Sequence, residues 1–456
     1  MQEQTYPTEL AELARLFQEA GFSLYGVGGM VRNPLLGLPI SDMDVTSAMR
    51  PEAVRLLCKE KSIRCVPTGM AFGMVELHVA GYKFEHTTFR ADTYGPGGGH
   101  RPEAVTFSDT VEADAFRRDF TVNALYRDLT THALLDPTGG LQDLRAGLLR
   151  ATSPNPERIM GDDALRVLRL ARFSAELGFS PEERTFCAAK AFAQGLKDIS
   201  QERIRDELSK ILLADGKYGK EGAVYRGLSL LNGLGGLDVI LPELTKGRGV
   251  SQRAEFHAYD VLEHCLHAAA CAEAWGGLIL RLAALLHDVG KPIAMAKDGR
   301  MYNHDRLGGP LAREILKRLR YPNAIVEEAS ALVGGHMYDL DGRAKEGTLR
   351  RKFVEWGYER SRLMAALRRA DVIGSGRGNS IATAVRWDRI LDSMRAEKAP
   401  FNEGELAITG DMLMEALGLP PGPEVGRIKR ALLLHCASKP KDNTAPRLLR
   451  LARDAR

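Results

Sequence analysis

The pattern of apolar residues changes near residue 151, and this change limits the chain to a small set of architectures. Before that point, short runs that are typical of strands, such as Met43–Thr46 and Met74–Val79, alternate with helical segments such as Pro51–Glu60. After it, almost every segment has helical periodicity. Strands that alternate with helices indicate an α/β domain, so we expect an α/β domain followed by all-α structure.

The chain has 456 residues, which is too many for one ordinary core. Breaks in the helical pattern suggest an α/β domain at 1–150, a small helical region at 151–250, a third domain at 251–380 and a helical tail at 381–456. Within the first domain, the segment 92–102 is rich in glycine and is predicted to be a mobile loop.

Composition excludes several classes of protein. The longest apolar runs, such as Leu278–Leu286, are far shorter than the roughly 20 residues that a membrane-spanning helix needs. We find no secretory signal, and the six cysteines show no CxxC pairing, so we expect buried thiols in a cytoplasmic protein. Arginines recur every third residue at the C-terminus, where they could contact a polyanion or simply form a solvated helix end: Arg447, Arg450, Arg453 and Arg456.

A turn with two glycines follows the first predicted strand. The order strand, Gly28-Gly29, helix brings backbone N–H groups and a helix N-terminus together, which favours a phosphate group. Arg32 could add a charge-assisted contact. The glycine pair alone is weak evidence, because many strand–helix turns need glycine for their geometry.

Two aspartates, Asp42 and Asp44, stand ten to twelve residues after Arg32. On a strand their side chains would point to the same side, and two such carboxylates repel each other unless a cation lies between them. The alternative is a turn or helix cap at Ser41-Asp42. We favour a pair of Mg²⁺ ions that align a nucleotide phosphate with an attacking hydroxyl. Glu85, on a later strand, is either a third ligand or a surface glutamate.

Residues 162–173 combine regularly spaced charges with an apolar background. A narrow polar line on a largely buried helix is predicted there, although an ordinary solvated face is the alternative. An acidic acceptor and a planar guanidinium together could read the edge of a base, and the remaining arginines could hold phosphates. The residues of this line are Asp163, Arg166, Arg169 and Arg172.

Histidines and aspartates accumulate between residues 257 and 371. A single histidine on an apolar helix is usually a core residue, but adjacent His287 and Asp288 after an apolar run favour a metal site. Imidazole nitrogen and carboxylate oxygen suit Mn²⁺, Mg²⁺, Ni²⁺ or Fe²⁺ rather than a thiolate zinc site.

The motifs of the first domain resemble those of the class II tRNA nucleotidyltransferase and bacterial poly(A) polymerase family. The resemblance rests on Gly28-Gly29-x-Val-Arg with Asp42-x-Asp44, on residues 88–92 and 101–102, and on Arg-Arg-Asp-Phe-Thr-Val-Asn-Ala at 117–124. It implies a nucleotidyltransferase head of the DNA polymerase beta superfamily type. In the family this last motif holds the sugar and phosphates of the nucleotide, which here points to Arg117, Arg118, Asp119 and Asn123.

One residue departs from the family pattern, because Asn33 stands where an aspartate usually follows the arginine. This position supports the turn, so we expect activity to be retained.

The later motifs extend the resemblance. The pattern acidic-Asp-x-x-Arg at 162–166 is similar to the family's template motif, in which side chains select CTP or ATP. This similarity implies that Asp163 and Arg166 recognise the base and that Arg169 and Arg172 bind the nucleotide. Residues 251–380 resemble an HD domain, a helical metal-dependent phosphohydrolase fold. By that resemblance His264 would be structural, His304 and His336 would support a second metal, and the first metal would bind His257, His287, Asp288 and Asp371.

The resemblance predicts a template-independent enzyme that adds CMP and AMP to the 3′ end of tRNA from CTP and ATP, with Mg²⁺ in the head. A metal-dependent phosphohydrolase activity in the HD domain is also implied. A-only addition, CC-only addition and poly(A) synthesis share these motifs, and the loop at 92–102 disfavours CC-only addition. An enzyme whose main activity is the HD site and a catalytically silent RNA-binding protein are two rival hypotheses. We expect no membrane association and no obligate protein partner.

Overall fold

The computed structural model describes residues 6–93 and 104–454. The predicted mobile loop at 92–102 lies almost entirely outside the described residues, as does Arg456. The chain forms two compact units, residues 1–242 and residues 243–456. The finer division into four domains remains a prediction.

The first part of unit 1 is built on a mixed sheet. The strands of this sheet are β1 (Tyr25–Val27), β2 (Asp44–Ser47), β3 (Arg64–Gly69), β4 (Met74–Val79), β5 (Tyr82–Thr88), β8 (Tyr126–Asp128) and β9 (Leu134–Leu135). Two further strands, β6 (Arg90–Thr93) and β7 (Ala104–Phe107), form a separate pair. The seven-stranded sheet has the order β3-β4-β5-β2-β1-β8-β9. Only β2 and β5 pair in parallel among these neighbours. The predicted α/β head is confirmed.

Helices cover this sheet and supply its core. They are α1 (Thr8–Glu19), α2 (Gly29–Leu35), α3 (Pro51–Glu60), α4 (Val111–Phe116) and α5 (Gly140–Ala146). Phe17 of α1 and Val54 of α3 pack with Phe84 of β5 in one buried cluster. Val45 of β2 belongs to the same cluster, so the core supports both strands that carry candidate site residues.

The rest of unit 1 is helical apart from one short parallel strand pair. The elements are β10 (Leu148–Leu149), α6 (Pro156–Asp162), α7 (Leu165–Leu177), β11 (Ser180–Pro181), α8 (Glu183–Phe192), α9 (Gln201–Leu212), α10 (Ala214–Tyr218), α11 (Ala223–Gly233) and α12 (Gly236–Ile240). Every residue of α7 except Arg169 is buried, as the polar line on an apolar helix predicts. Asp163, however, does not lie on this helix, because its backbone is extended (φ −149°, ψ 103°).

Helices also form the described part of unit 2, after α13 (Pro242–Thr245) crosses the boundary. They are α14 (Val261–Cys271), α15 (Gly277–Leu286), α16 (Lys291–Asp298), α17 (His304–Arg318), α18 (Asn323–Gly335), α19 (Glu346–Trp356), α20 (Tyr358–Gly374), α21 (Ala382–Ala396), α22 (Gly410–Leu417), α23 (Pro423–Ser438) and α24 (Ala445–Asp454). The all-α prediction for this region is confirmed. Short 3₁₀ helices occur at Met70–Phe72, Thr121–Asn123, Ala193–Asp198, Ala274–Gly276, Glu403–Glu405 and Pro440–Asp442.

Two further expectations can be compared with the structure. Within the described ranges, no single helix is both long and apolar enough to cross a bilayer; one strongly bent pair, Val261–Cys271 with Ala274–Asp298, meets the length and composition criteria. All six cysteines are free thiols. The expectation that they are buried holds for Cys58, Cys265 and Cys436 but not for Cys187, which is exposed.

Candidate active site and metal centre

The glycine turn lies directly against one of the two aspartates. Gly28 adopts φ +64°, a left-handed conformation that glycine accepts at little cost, and α2 begins at the next residue. A methyl group added at Gly28 would lie 3.7 Å from Asp44 Oδ2. The predicted cradle and the first residue of β2 are therefore neighbours, and the positive φ rather than a lack of space favours glycine at position 28.

Three carboxylates gather at this edge of β2. The parallel pairing of β2 with β5 places Asp44 opposite Glu85, and Asp42 lies in the exposed segment before β2. Burial raises the pKa of Asp44 to about 6; Glu85 and Asp42 add to this effect, although Arg118 and Arg169 oppose it. The neighbouring negative charges make the ionisation of Asp44 more costly, and a bound cation would reduce this cost. Carboxylate oxygens are the ligands that Mg²⁺ prefers.

These carboxylates are more widely spaced than the compact ligand groups of unit 2. Among the described residues, the sets of three whose ligand atoms lie within 4.8 Å of one another all fall in unit 2. Glu85 is exposed, and its Oε1 lies 3.2 Å from Lys83 Nζ. The head site therefore has the chemistry for a divalent cation without a preformed cage, and Glu85 already has a cationic neighbour.

A buried aspartate holds both arginines of the third head motif. Asp114 Oδ1 accepts hydrogen bonds from Arg117, and Asp114 Oδ2 accepts from Arg118 Nη2 (2.8 Å) and the Tyr126 hydroxyl (2.7 Å). Burial would raise the pKa of Asp114, but Arg118 and Arg117 lower it to about 2. Asp114 thus stays charged and fixes both guanidinium groups. No sequence pattern indicated this role, apart from the position of Asp114 at the start of the motif.

A chain of hydrogen bonds joins the glycine turn to α7. Arg32 donates to Asn123 Oδ1, and Asn123 Nδ2 donates to Asp119 Oδ1 (3.0 Å). Asp119 Oδ2 in turn accepts from Arg169 Nε (2.7 Å). Burial opposes the charge on Asp119, but Arg169 and Asn123 hold its pKa below the usual range. Four residues predicted separately as nucleotide ligands are therefore one connected network.

The two residues predicted to read the base already have partners in the protein. Asp163 Oδ1 accepts from the backbone N–H of Leu165 (3.1 Å), and its Oδ2 lies 2.6 Å from Arg203 Nη2. Arg166 donates to the carbonyl oxygens of Ile159 (2.7 Å) and Arg117 (2.6 Å). Asp163 and Arg166 thus lie at the same junction, next to the head motif.

Arg172, the last residue of the predicted line, lies 3.0 Å from Glu207 of α9. Arg203 was not predicted from the sequence. It belongs to the same helix as Glu207, but it stands forty residues from Asp163, and no spacing rule connects the two.

Six side chains from α14 to α20 converge in unit 2. Asp288 follows α15, and its Oδ1 lies 3.1 Å from His304 Nε2, while its Oδ2 lies 3.2 Å from His287 Nε2. Asp371 Oδ1 lies 3.1 Å from His264 Nε2. The compact ligand groups include His264, His287 and Asp371 on one side and Asp288, His304 and His336 on the other.

The orientation of the imidazoles fits a metal. The Nδ1 atoms of His304 and His336 each lie 2.7 Å from a backbone carbonyl oxygen, so in the neutral rings that bind a metal these nitrogens carry the proton. The Nε2 atoms then present lone pairs, yet Nε2 of His304 lies only 3.1 Å from Nε2 of His336. Two lone pairs that face each other at this distance favour a cation between them. The residues therefore fit one or two divalent metals.

The placement of the first histidine differs from the prediction. His264, which was expected to be structural, is fully buried within the cluster, and its Nε2 also lies 3.1 Å from His287 Nε2. His257, which was expected to be a first-metal ligand, belongs to none of the compact groups among the described residues. Its ring packs against that of His264, with centroids 4.6 Å apart. His257 was chosen because it matched the pattern of the HD domain, whereas the position of His264 beside His287 depends on the packing of separate helices.

A cavity of about 1120 Å³ opens above this cluster. Asp288, His304, His336 and Asp371 lie in its wall, with Lys291 Nζ 2.6 Å from Asp288 Oδ2. Further cations line it, namely Arg253, Arg300 and Arg368. A group of candidate metal ligands under a cationic cavity is suited to an anionic substrate such as a phosphoester.

Three family profiles match the chain in the order of its structural regions. The Poly A polymerase head domain matches residues 24–150. The probable RNA and SrmB- binding site of polymerase A matches residues 178–247. The HD domain matches residues 261–374, a range that includes His264 and excludes His257.

Relatives and solved structures resemble the chain over nearly its whole length. The A-adding tRNA nucleotidyltransferase of Deinococcus radiodurans is 36% identical over 427 residues, which are 89% of each chain. The CCA-adding enzyme of Streptococcus sanguinis is 30% identical over 95% of this chain and 94% of its own. The crystal structure of the Bacillus stearothermophilus CCA-adding enzyme in complex with CTP superposes with a TM-score of 0.74 at 27% identity, covering 99% and 98% of the two chains. The chain therefore belongs to the family of tRNA nucleotidyltransferases that includes the A-adding and CCA-adding enzymes.

Proposed function

We propose that this chain adds CMP and AMP to the 3′ end of tRNA from CTP and ATP, completing or repairing the CCA terminus. The observation that carries this proposal is the contact between the glycine turn and Asp44, with Arg118 and Arg169 close enough to act on the Asp44 charge. The candidate ligands for phosphate, cation and nucleotide therefore lie near one edge of the sheet, which supports the proposal.

The side chains divide the work by position. Gly28, Gly29 and Arg32 receive the triphosphate at the start of α2. Arg117, Arg118, Asp119 and Asn123 lie beyond it and hold the sugar and phosphates, with Asp114 as their anchor. Asp163 faces the base, and Arg166 lies beside it and holds the head motif in place. Arg169 ties α7 to the network, and Arg172 ties α7 to α9.

Asp42 and Asp44, with Glu85 as a third candidate ligand, would hold Mg²⁺. When bound, Mg²⁺ would lower the pKa of the RNA 3′-hydroxyl and neutralise charge on the phosphates. The aspartates contribute by remaining ionised and in place, and the head contributes mainly position and electrostatics.

The test uses purified full-length protein with tRNA transcripts that end before CCA or after CC. CTP and ATP are supplied singly and together, and Asp44→Asn is the variant, with Asp288→Ala as the matched change in the other unit. We expect complete CCA in the presence of both nucleotides, loss of addition in Asp44→Asn and normal addition in Asp288→Ala. Near-normal transfer by Asp44→Asn would refute the assignment of Asp44.

A-only addition is the nearest competing product, because one of the relatives is an A-adding enzyme. It predicts that transcripts ending in CC are extended with ATP, whereas transcripts lacking all three nucleotides are not extended with CTP. The same experiment therefore decides between the two products.

We further propose that the HD unit is a metal-dependent phosphohydrolase. The six converging side chains and the cationic cavity favour this second activity. Hydrolysis of p-nitrophenyl phosphate and bis(p-nitrophenyl) phosphate should depend on added Mn²⁺, Ni²⁺ or Mg²⁺. Release should disappear in Asp288→Ala and persist in Asp44→Asn; release that survives Asp288→Ala would show that the activity does not belong to this cluster.

A further inference from the structure

Asn33, the one departure of the head from its family pattern, uses the whole hydrogen-bonding capacity of its side chain. Its Oδ1 accepts from Arg32 Nε (3.1 Å) and Arg32 Nη2 (2.8 Å). Its Nδ2 donates to the carbonyl oxygen of Pro39 (2.9 Å) and to the hydroxyl of Tyr218 (2.9 Å). Asn33 is only 1% exposed, so protein groups rather than bulk water satisfy these bonds.

The partners of the amide nitrogen determine which way the amide faces. Pro39 and Tyr218 both supply acceptors on one side, and the Arg32 guanidinium supplies only donors on the other. If the amide turned around, its nitrogen would meet those donors and its oxygen would meet the Pro39 carbonyl. Tyr218, on α10, therefore helps to hold the Asn33 oxygen against Arg32 from 185 residues away along the chain.

The acceptors of Arg32 are neutral. Asn33 Oδ1 and Asn123 Oδ1 hold the guanidinium from two sides, and an amide oxygen orients a cation without cancelling its charge. An aspartate at position 33 would pair with that charge and could not donate to Pro39. The chain thus fixes the direction of Arg32 while it leaves the positive charge for an anion at the turn.

We propose that Asn33 and Tyr218 are positioning residues for Arg32, and through it for the triphosphate of the incoming nucleotide. This inference rests on the proposed function, because it requires Arg32 to contact the triphosphate. It adds a residue of the helical region to the nucleotide site and explains why an amide can replace the usual carboxylate.

The test compares Tyr218→Phe and Asn33→Asp in the full-length chain. We expect each variant to raise the KM for ATP and CTP by about tenfold, because a misplaced Arg32 would lose one charge-assisted hydrogen bond to the triphosphate, with kcat within about twofold. The dissociation constant for inorganic triphosphate, measured by calorimetry, should rise by the same factor. Tyr82→Phe, an exposed tyrosine on β5, is the control and should change neither quantity.

The calorimetric arm separates this inference from the proposed function. If the wild-type chain does not extend RNA, the proposed function fails, and triphosphate binding still tests the role of Tyr218. A folded Tyr218→Phe with unchanged triphosphate affinity and KM would overturn the inference, as would a lower kcat at unchanged KM. Should Tyr218→Phe fail to fold, Asn33→Asp decides, and unchanged affinity in that variant overturns the inference.

Discussion

Asp119 ties the head to α7 through a buried ion pair, and its removal should destabilise unit 1 strongly. Its carboxylate accepts hydrogen bonds from the backbone N–H of Phe120 (2.8 Å), Asn123 Nδ2 (3.0 Å) and Arg169 Nε (2.7 Å). In Asp119→Asn the amide nitrogen would face donors, and Arg169 would lose its counter-ion. Breaking a buried pair from one side costs about 3 to 5 kcal/mol. Because the Arg169 side chain is 32% exposed, we expect a loss of about 3 kcal/mol.

The assay can separate the two units, because Trp275, Trp356 and Trp387, the three tryptophans of the chain, all belong to unit 2. Urea unfolding followed by far-ultraviolet circular dichroism reports both units, whereas tryptophan fluorescence reports unit 2. Asp119→Asn should shift the dichroism transition and leave the fluorescence transition in place.

The control is Asp206→Asn, which breaks an exposed pair with Arg205 and should cost less than about 1 kcal/mol. A cost for Asp119→Asn as small as that of the control would refute the reasoning. Arg169→Gln supplies the other side of a double-mutant cycle, and additive costs would show that the two residues do not interact.

Three further predictions concern the base site, the metal centre and acid stability. Arg203→Ala should leave unit 1 folded, because the ion pair with Asp163 is partly exposed. It should reduce the preference for CTP and ATP over UTP and GTP by about tenfold in competition assays. Unchanged selectivity would show that Arg203 has no role in base recognition. Mn²⁺ at a concentration about a hundredfold above its dissociation constant should stabilise unit 2 by about 2.7 kcal/mol, as measured by unfolding followed by tryptophan fluorescence. His287→Ala should abolish this stabilisation, whereas Asp44→Asn should leave it unchanged. Burial lowers the pKa of His86 to about 3. The unfolded chain therefore takes up a proton near pH 6.5 that the folded unit does not, but folded Asp44, with its pKa of about 6, takes up a proton in the opposite sense. In Asp44→Asn, where this opposing group is absent, unit 1 should lose about 1.4 kcal/mol per pH unit as the pH falls from 6.5 toward 4, and a flat stability profile of this variant between pH 7.5 and 5 would contradict the prediction.

Local patterns predicted the elements of this protein well, because they depend on neighbouring residues. The bounds of Pro51–Glu60 and Met74–Val79 are those of α3 and β4, and the buried α7 follows from its apolar background. By contrast, β3 (Arg64–Gly69) was not predicted. Its residues are mostly half-buried or exposed, so an apolar alternation that would identify a strand is missing.

For the candidate site residues, the sequence indicates type and order but not the partners with which they form bonds. The sequence prediction chose His257 as a metal ligand and left His264 as structural, whereas the packing of α14 against α20 brings His264 to Asp371. Similarly, Asp114, Tyr126 and Tyr218 act through bonds whose partners are set by the fold. A sequence pattern can identify the groups that bear chemistry, whereas the groups that orient them depend on contacts between distant segments.

The bonds of Arg166 limit how a base can be recognised. Two of its donors are engaged by the carbonyl oxygens of Ile159 and Arg117, so the guanidinium holds the head motif against the helical region. Arg166 is 8% exposed, whereas the Arg203 side chain is 40% exposed and already lies on Asp163. A base that approaches Asp163 from solvent would meet Arg203 before it reaches the committed donors of Arg166. If Arg166 is mainly a positioning residue, Arg166→Lys should lower stability and kcat together, and base discrimination should respond to Arg203 instead.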